Sequence, residues 1–281
     1  MYRRILITGS DGLLGSNLKK ILVDTDEVVG ISLENGYDIT NYDSMTTIEG
    51  HFDIVIHCAA AFFNDSLESI FKNEYVNAIG TYNVCKFALE RKCTHFIYIS
   101  SISAIEHEMN EYYNSYGVSK KHGEDMVQLC CKNRIMNNTI LRFSQIYDSD
   151  GIAKKHQKLL YTLIEKVKNG EEIIIYGEKN PLRNFIHIDD VKNIIRLTID
   201  TSAYGSFNCV YPHSYSIEDI IHQIASLIDV YPKIKKDVSK DDIKTMYIPD
   251  ENSFFDIINY YPQINLKDGI NRIINKHYEK V

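Results

Sequence analysis

The segment Ile5-Leu6-Ile7-Thr8-Gly9-Ser10-Asp11-Gly12-Leu13-Leu14-Gly15 constrains this chain more than any other. Ile5–Ile7 is a continuous apolar run of the kind a buried parallel strand shows, and apolar positions at helical spacing follow at Leu14, Leu18, Ile21 and Leu22. Between strand and helix stand glycines 9, 12 and 15, three residues apart. Glycines in such a turn admit positive φ and let the backbone approach a pyrophosphate closely. The helix N-terminus beyond them offers free N–H groups and a partial positive charge. The segment therefore predicts a phosphate cradle at the edge of a parallel sheet.

The rest of the chain supplies that sheet. Val28–Leu33, Ile54–Cys58, Phe96–Ser100 and Thr139–Phe143 read as further strands, alternating with helices near Tyr42–Glu49, Ser69–Arg91 and Ser115–Cys131. A parallel crossover needs an intervening helix, so the series implies a parallel sheet covered on both faces, with ligands bound beyond the C-terminal strand ends. After about residue 148 strands are fewer and connections less regular. The expected division is residues 1–148 plus about 180–205 in the dinucleotide-binding domain, with about 149–179 plus 206–281 in a smaller lobe woven into it.

With 281 residues, 44% of them hydrophobic, the chain can fill such a core. A net charge of −7 with scattered basic residues excludes a nucleic-acid-binding surface. No segment approaches the ~20 consecutive apolar residues of a membrane span, and the start Met-Tyr-Arg-Arg has no apolar signal core. No membrane association and a cytoplasmic location are expected. The six cysteines form no Cys-x-x-Cys pair and the ten histidines are dispersed, so no metal site is expected.

A second constellation is Tyr116-Gly117-Val118-Ser119-Lys120. Helix positions four apart share a face, so phenol and ammonium point to one spot, where the cation is expected to lower the tyrosine pKa and make a general acid/base. The cluster Ser100-Ser101-Ile102-Ser103 ends a strand about fifteen residues earlier, at the sheet edge where a hydroxyl can meet that tyrosine. Arg183 has two readings, a bidentate grip on a diphosphate or a surface salt bridge with Asp189 or Asp190.

These motifs, with His57-Cys58-Ala59-Ala60, Asn77 and Arg183-Asn184-Phe185-Ile186-His187-Ile188-Asp189-Asp190, occur in the order found in the extended short-chain dehydrogenases/reductases. The chain resembles the NAD-dependent epimerase/dehydratase members of that family over nearly its whole length. The resemblance implies an α/β, Rossmann-type doubly wound parallel sheet with a smaller interwoven C-terminal α/β substrate lobe. It assigns Gly9, Gly12, Leu13, Leu14 and Gly15 to the cofactor pyrophosphate and Asp38 with Ile39 to the adenine end. Ala59, Ala60 and Asn77 line the dinucleotide, and Lys120 also holds the nicotinamide ribose. It makes Tyr116, Ser101 and Lys120 catalytic. Arg183 takes the diphosphate of a nucleoside-diphosphate sugar, and Gln145, where the family usually has Asn, is a substrate contact. A homodimer through the helices near 69–91 and 115–131 is implied as well.

Departures from the pattern sharpen the expectation. Ser32 stands where NAD-preferring relatives carry a strand-end Asp, which admits NADP and favours it slightly over NAD. The Gly after the Tyr is Asp148, and the region 250–256 has no second arginine. Ser101-Ile102-Ser103 lacks the carboxylates of the dehydratases. The expectation is therefore a nucleotide-sugar oxidoreductase acting at C4, leaning to reduction of a 4-keto sugar. The alternatives are a 4-epimerase with tightly bound NAD and a catalytically silent dinucleotide-binding sensor or scaffold, the latter opposed by intact Ser101, Tyr116 and Lys120.

Overall fold

The computed structural model describes residues 2–63, 65–133, 135–201, 203–250 and 253–278, the last two as helical backbone alone. Six parallel strands form the central sheet: β1 (Arg4–Thr8), β2 (Glu27–Ile31), β3 (Ile54–His57), β4 (His95–Ser101), β5 (Asn137–Phe143) and, after shorter strands, Gly205–Cys209. Short strands β6 (Gln145–Tyr147), β7 (Glu172–Tyr176), β8 (Leu182–Arg183) and β9 (Phe185–His187) precede that last one, which is β10. Beyond it come β11 (Tyr215–Ser216) and β12 (Lys233–Asp237). The sheet order is β10-β5-β4-β3-β1-β2. β1 thus has β2 on one side and β3 on the other, and the chain reverses direction across the sheet there. That reversal opens a crevice at the C-terminal end of β1.

Alternation along the strands feeds two cores. Ile5 and Ile7, with Ile54, Ile56, Leu141 and Phe143, face α1 (Leu13–Leu22) and a later helix at Ile188–Ile199. Leu6, Val55, Phe96, Tyr98 and Ile140 face the other way, toward α2 (Tyr42–Thr46), α4 (Thr81–Glu90) and α5 (Ser115–Cys130). α3 (Leu67–Glu74) runs into α4 through a π-helical turn at Tyr75–Gly80, where the sequence predicts one uninterrupted helix. Asn114 caps α5 by accepting from Gly117 N at 3.2 Å. A Cβ on Gly117 would collide with the Ser103 carbonyl, so glycine lets the start of α5 press against the turn that follows β4.

The smaller lobe has its own core, built from α6 (Lys158–Lys168), α8 (Ile217–Leu227) and α10 (Leu266–Tyr278) against β7; α7 is Ile188–Ile199 and α9 is Ser253–Ile257. Two expectations are corrected. The expected boundary at 205/206 places β10 in the smaller lobe, but Phe207 and Cys209 pair in register with Leu141 and Phe143, and β10 joins the main sheet together with Phe254 and Phe255 of α9. The second strand stops at Ile31 rather than Leu33. Ser32 begins a tight turn there, accepting from Asn35 N while the Asn35 side chain accepts from Ser32 N at 2.8 Å.

Candidate active site

A cleft of about 480 Å³ opens at the C-terminal ends of β1, β4 and β5. The glycine turn forms one wall. Gly9 has φ +65°, and a Cβ there would sit 2.8 Å from Ala59 N. Gly12 N donates to Gly9 O at 3.1 Å, and Gly15 lies so close to the Gly9 carbonyl that any side chain would collide with it. Helix α1 begins after Gly12 with no side-chain cap and no acidic residue in its first turn. Its first N–H groups therefore face the cleft without a protein acceptor, as a pyrophosphate site requires. On these observations the turn fits a dinucleotide, with Gly9, Gly12, Leu13, Leu14, Gly15 and Ala60 lining the cleft.

The opposite wall holds the candidate catalytic residues. Ser101, Tyr116 and Lys120 all line the cleft, as the sequence predicts. Ser101 and Tyr116 stand on this wall together, and the Ser101 hydroxyl accepts from Ser103 N at 3.1 Å. Burial pushes the phenol up to about 12, against the downward pull of Ser101. This is the reverse of the depression expected from Lys120, because the ammonium is turned elsewhere. Lys120 Nζ donates to Ile99 O at 2.7 Å and lies 4.1 Å from the centre of the Tyr98 ring. Burial lowers its own pKa to about 7, with Glu124 pulling it back up.

Glu124, one turn beyond Lys120, is fully buried. It accepts from Ser100 Oγ at 2.6 Å and from Arg142 Nε and Nη2 at 2.8 and 2.5 Å, which ties α5 to β4 and β5 beneath the catalytic face.

Other predicted residues are placed differently. Asn77 is buried, and its amide bonds Ala61 N and O at 2.8 and 2.9 Å and Ser119 Oγ at 2.9 Å. It braces the loop after β3 against α5 rather than facing the cleft. Ile39 sinks into the core beneath Gly80, and the Asp38 carboxylate accepts from Thr40 N and Oγ1, so neither side chain reaches the cleft. Ala59 packs against the glycine turn, while Ser32 bonds Asp11 at 2.5 Å. Gln145 lines the cleft, donates to Gln157 Oε1 at 3.0 Å, and leaves its own buried Oε1 without a partner.

Arg183 is only 1% exposed and lies behind Tyr112 rather than on the cleft surface. It donates to the Leu182 and Lys244 carbonyls at 2.8 Å each, and Nε has no partner. The salt bridge with Asp189 or Asp190 is not formed. Asp189 pairs with Lys192 and Arg272, and Asp190 accepts from Tyr260 and two backbone N–H groups. Among the described residues Arg183 has no carboxylate partner.

Sequence reasoning missed Asp11, Phe62, His156, Gln157 and Glu124. Phe62 meets the Tyr116 ring edge-on at 4.8 Å and His156 at 6.0 Å, roofing the catalytic end of the cleft. Only Asp11 carried a local signal, its place inside the glycine turn.

The low pKa of Lys120 has a thermal signature. Its folded-state pKa lies below the unfolded value, so the penalty for burying the charge is complete below pH 7 and vanishes as pH rises past the unfolded pKa near 10.5. Lys120→Met is expected to raise the melting temperature of the dinucleotide-free protein most at pH 6 and progressively less toward pH 10. A gain that is the same at every pH, measured by thermal melts, would show that the lysine is not depressed.

A glycine turn after β1, a bare helix N-terminus, and Ser101 at the end of β4 facing Tyr116 and Lys120 of α5 are the arrangement of a short-chain dinucleotide-dependent oxidoreductase. The chain belongs to the NAD dependent epimerase/dehydratase family, whose model matches residues 5–209, and it is an enzyme. It is 24% identical over 96% of its length, and 97% of the relative's, to a putative UDP-glucose 4-epimerase of Methanocaldococcus jannaschii. Its fold matches RMD from Pseudomonas aeruginosa complexed with NADPH (TM-score 0.82, 18% identity, 100% of this chain and 99% of that one). It also matches the Thermus thermophilus UDP-glucose 4-epimerase complex with NAD (TM-score 0.79, 16% identity, 99% and 100%). Those two neighbours hold a nicotinamide dinucleotide, NADPH in the first and NAD in the second. Among the described residues no helix is long and apolar enough to cross a membrane and no His/Cys/Asp/Glu group suits a metal.

Proposed function

We propose that this enzyme reduces the 4-keto group of a nucleoside-diphosphate sugar. The observation that carries the reading is the meeting of Ser101, Tyr116 and Lys120 with the glycine turn in one cleft. Burial raises the pKa of the Tyr116 phenol, and a neutral phenol is the proton donor that a ketone oxygen needs as it becomes an alcohol. A bound nicotinamide dinucleotide supplies the hydride. Tyr116 gives its proton to the oxygen, Ser101 orients that oxygen, and Phe62 and His156 exclude water above it. The protein atoms nearest the far end of the cleft, Gln145 with its unpaired Oε1 and Gln157, are suited to sugar hydroxyls. Arg183, a buried cation behind Tyr112 that pairs with no carboxylate among the described residues, supports an anionic substrate group such as a diphosphate, reached when the Lys244 segment moves off its guanidinium.

The second reading is a 4-epimerase that keeps its dinucleotide. It is favoured by Ser101, Tyr116 and Lys120 themselves, which serve removal of a hydride from a sugar as well as its return. The test is to denature fresh protein, identify any dinucleotide released, and then follow NADH and NADPH absorbance with nucleoside-diphosphate 4-keto sugars. Net oxidation of the added nicotinamide supports the reductase. Stoichiometric released NAD⁺ with no net oxidation would replace it by the epimerase.

The enzyme is proposed to act as a homodimer. Leu67, Phe71, Tyr75 and Ile79, each four residues from the next, are exposed along α3 and the π-helical turn, an apolar stripe suited to a second copy. Sedimentation is expected to give about twice the 32.5 kDa chain mass, and a monomer at micromolar concentration would end this part of the proposal.

A further inference from the structure

We propose that Asp11, from inside the glycine turn, is the group that recognises the adenosine ribose and selects NAD over NADP. The inference rests on the reading of the glycine turn as a nicotinamide-dinucleotide site. With a pyrophosphate on the N-terminus of α1, the adenosine ribose falls beside the end of the neighbouring strand, where an acid at that strand end ordinarily accepts the ribose hydroxyls. Here β2 ends at Ile31, which is in register with Thr8 of β1, and the next residue is Ser32. The strand itself therefore offers a hydroxyl in place of a carboxylate.

The carboxylate arrives from the other side of the turn. Ser32 Oγ donates to Asp11 Oδ2 at 2.5 Å, and Ser10 Oγ donates to the same oxygen at 3.2 Å. The two hydroxyls hold the Asp11 carboxyl below its usual range, so it is ionised throughout the neutral range. Oδ1 carries no hydrogen bond in the structure and the side chain is exposed, which leaves an acceptor free for a ribose hydroxyl. A 2′-phosphate would meet a negative charge instead.

Ser32 is closed to a phosphate as well. Its hydroxyl hydrogen is given to Asp11 and its oxygen accepts from Asn35 N at 3.4 Å, while Ser32 N is taken by the Asn35 side chain. Lys19 is the cation acting on Asp11, from the next turn of α1. No ion pair joins the two among the described residues, so the Asp11 charge itself faces a 2′-phosphate. Neutralising Asp11 removes that charge and frees the Ser32 hydroxyl for the phosphate, so the change in specificity should be large and directional.

The experiment is a fluorescence titration of NADH and NADPH into dinucleotide-free protein, for the parent, Asp11→Asn and Ser32→Ala. The parent is expected to bind NADH at least tenfold more tightly than NADPH. Asp11→Asn should tighten NADPH at least tenfold while changing NADH less than threefold. Ser32→Ala keeps the carboxylate, so it should retain the preference for NADH, and it serves as the second variant should Asp11→Asn fold poorly. Equal affinity of the parent for the two, or an Asp11→Asn variant whose ratio is unchanged, overturns the role of Asp11 and leaves the dinucleotide site intact. Binding of neither dinucleotide by the folded parent overturns the site itself, and the role of Asp11 with it.

Discussion

Tyr116→Phe is expected to lower kcat/KM for hydride transfer by about 10³-fold while leaving the dinucleotide affinity within a factor of about two. Loss of a positioned general acid typically costs 10²–10⁴-fold, and a thousandfold corresponds to about 4 kcal/mol of transition-state stabilisation. The substitution removes one oxygen and little packing. The ring keeps its edge-on contact with Phe62, and the glycine turn stands on the opposite wall of the cleft. Ser101 still accepts from Ser103 N, so the end of β4 keeps its shape. Steady-state kinetics together with a dinucleotide titration separate the outcomes. A variant that turns over within tenfold of the parent removes Tyr116 from proton transfer, and one that loses dinucleotide affinity equally shows a structural role.

Glu124→Gln should be the most destabilising conservative change in the site, with a melting temperature lower by on the order of 10 °C. The carboxylate is fully buried and receives three hydrogen bonds, one from Ser100 and two from Arg142. Breaking one side of a buried pair commonly costs 3–5 kcal/mol, because the surviving charge stays buried without compensation, and each kcal/mol moves the midpoint of a domain this size by about 2–4 °C. The double variant Glu124→Leu with Arg142→Met removes both charges and should recover most of the loss. A fall of under 2 °C in Glu124→Gln, or a double variant no better than the single, would show that the pair does little to join α5 to the sheet. Lys120 gives a separate readout, since Glu124 is what raises its pKa against burial.

What the sequence makes legible is what short stretches of chain decide. The glycine turn is set by spacing of three residues and by the collisions any side chain would make there, and Tyr116 and Lys120 share a face because they are four apart on one helix. Contacts set by distant packing are less legible. Ile39 reads as an adenine contact until Gly80, 41 residues later, is seen to make room for it in the core, and Asn77 reads as a cleft residue until Ser119 takes its amide. The lysine's effect on the tyrosine depends on which carbonyl lies nearest, and Ile99 is 21 residues from Lys120. Asp11 sat in plain view in the turn, yet its partner is Ser32, and only the pairing of β1 with β2 brings them together. The π-helical turn in the helix expected near 69–91 has no spacing signal that separates it from an ordinary helix.

The sixth strand carries a consequence for how the chain is made. β10 completes the sheet only when residues 205–209 have left the ribosome, and α9, which covers it, ends at residue 257. Until then β5, paired with β4 on one side, is an outer edge whose outward N–H and C=O groups lack a partner strand, the kind of edge that recruits another chain. The catalytic wall at Ser101 pairs directly with Phe143 of that strand. Synthesis that stalls or is cut between residues 148 and 205 therefore yields neither a separable dinucleotide-binding piece nor a dormant half-enzyme, but a sticky fragment. A nascent chain of this kind relies on the smaller lobe being translated without pause.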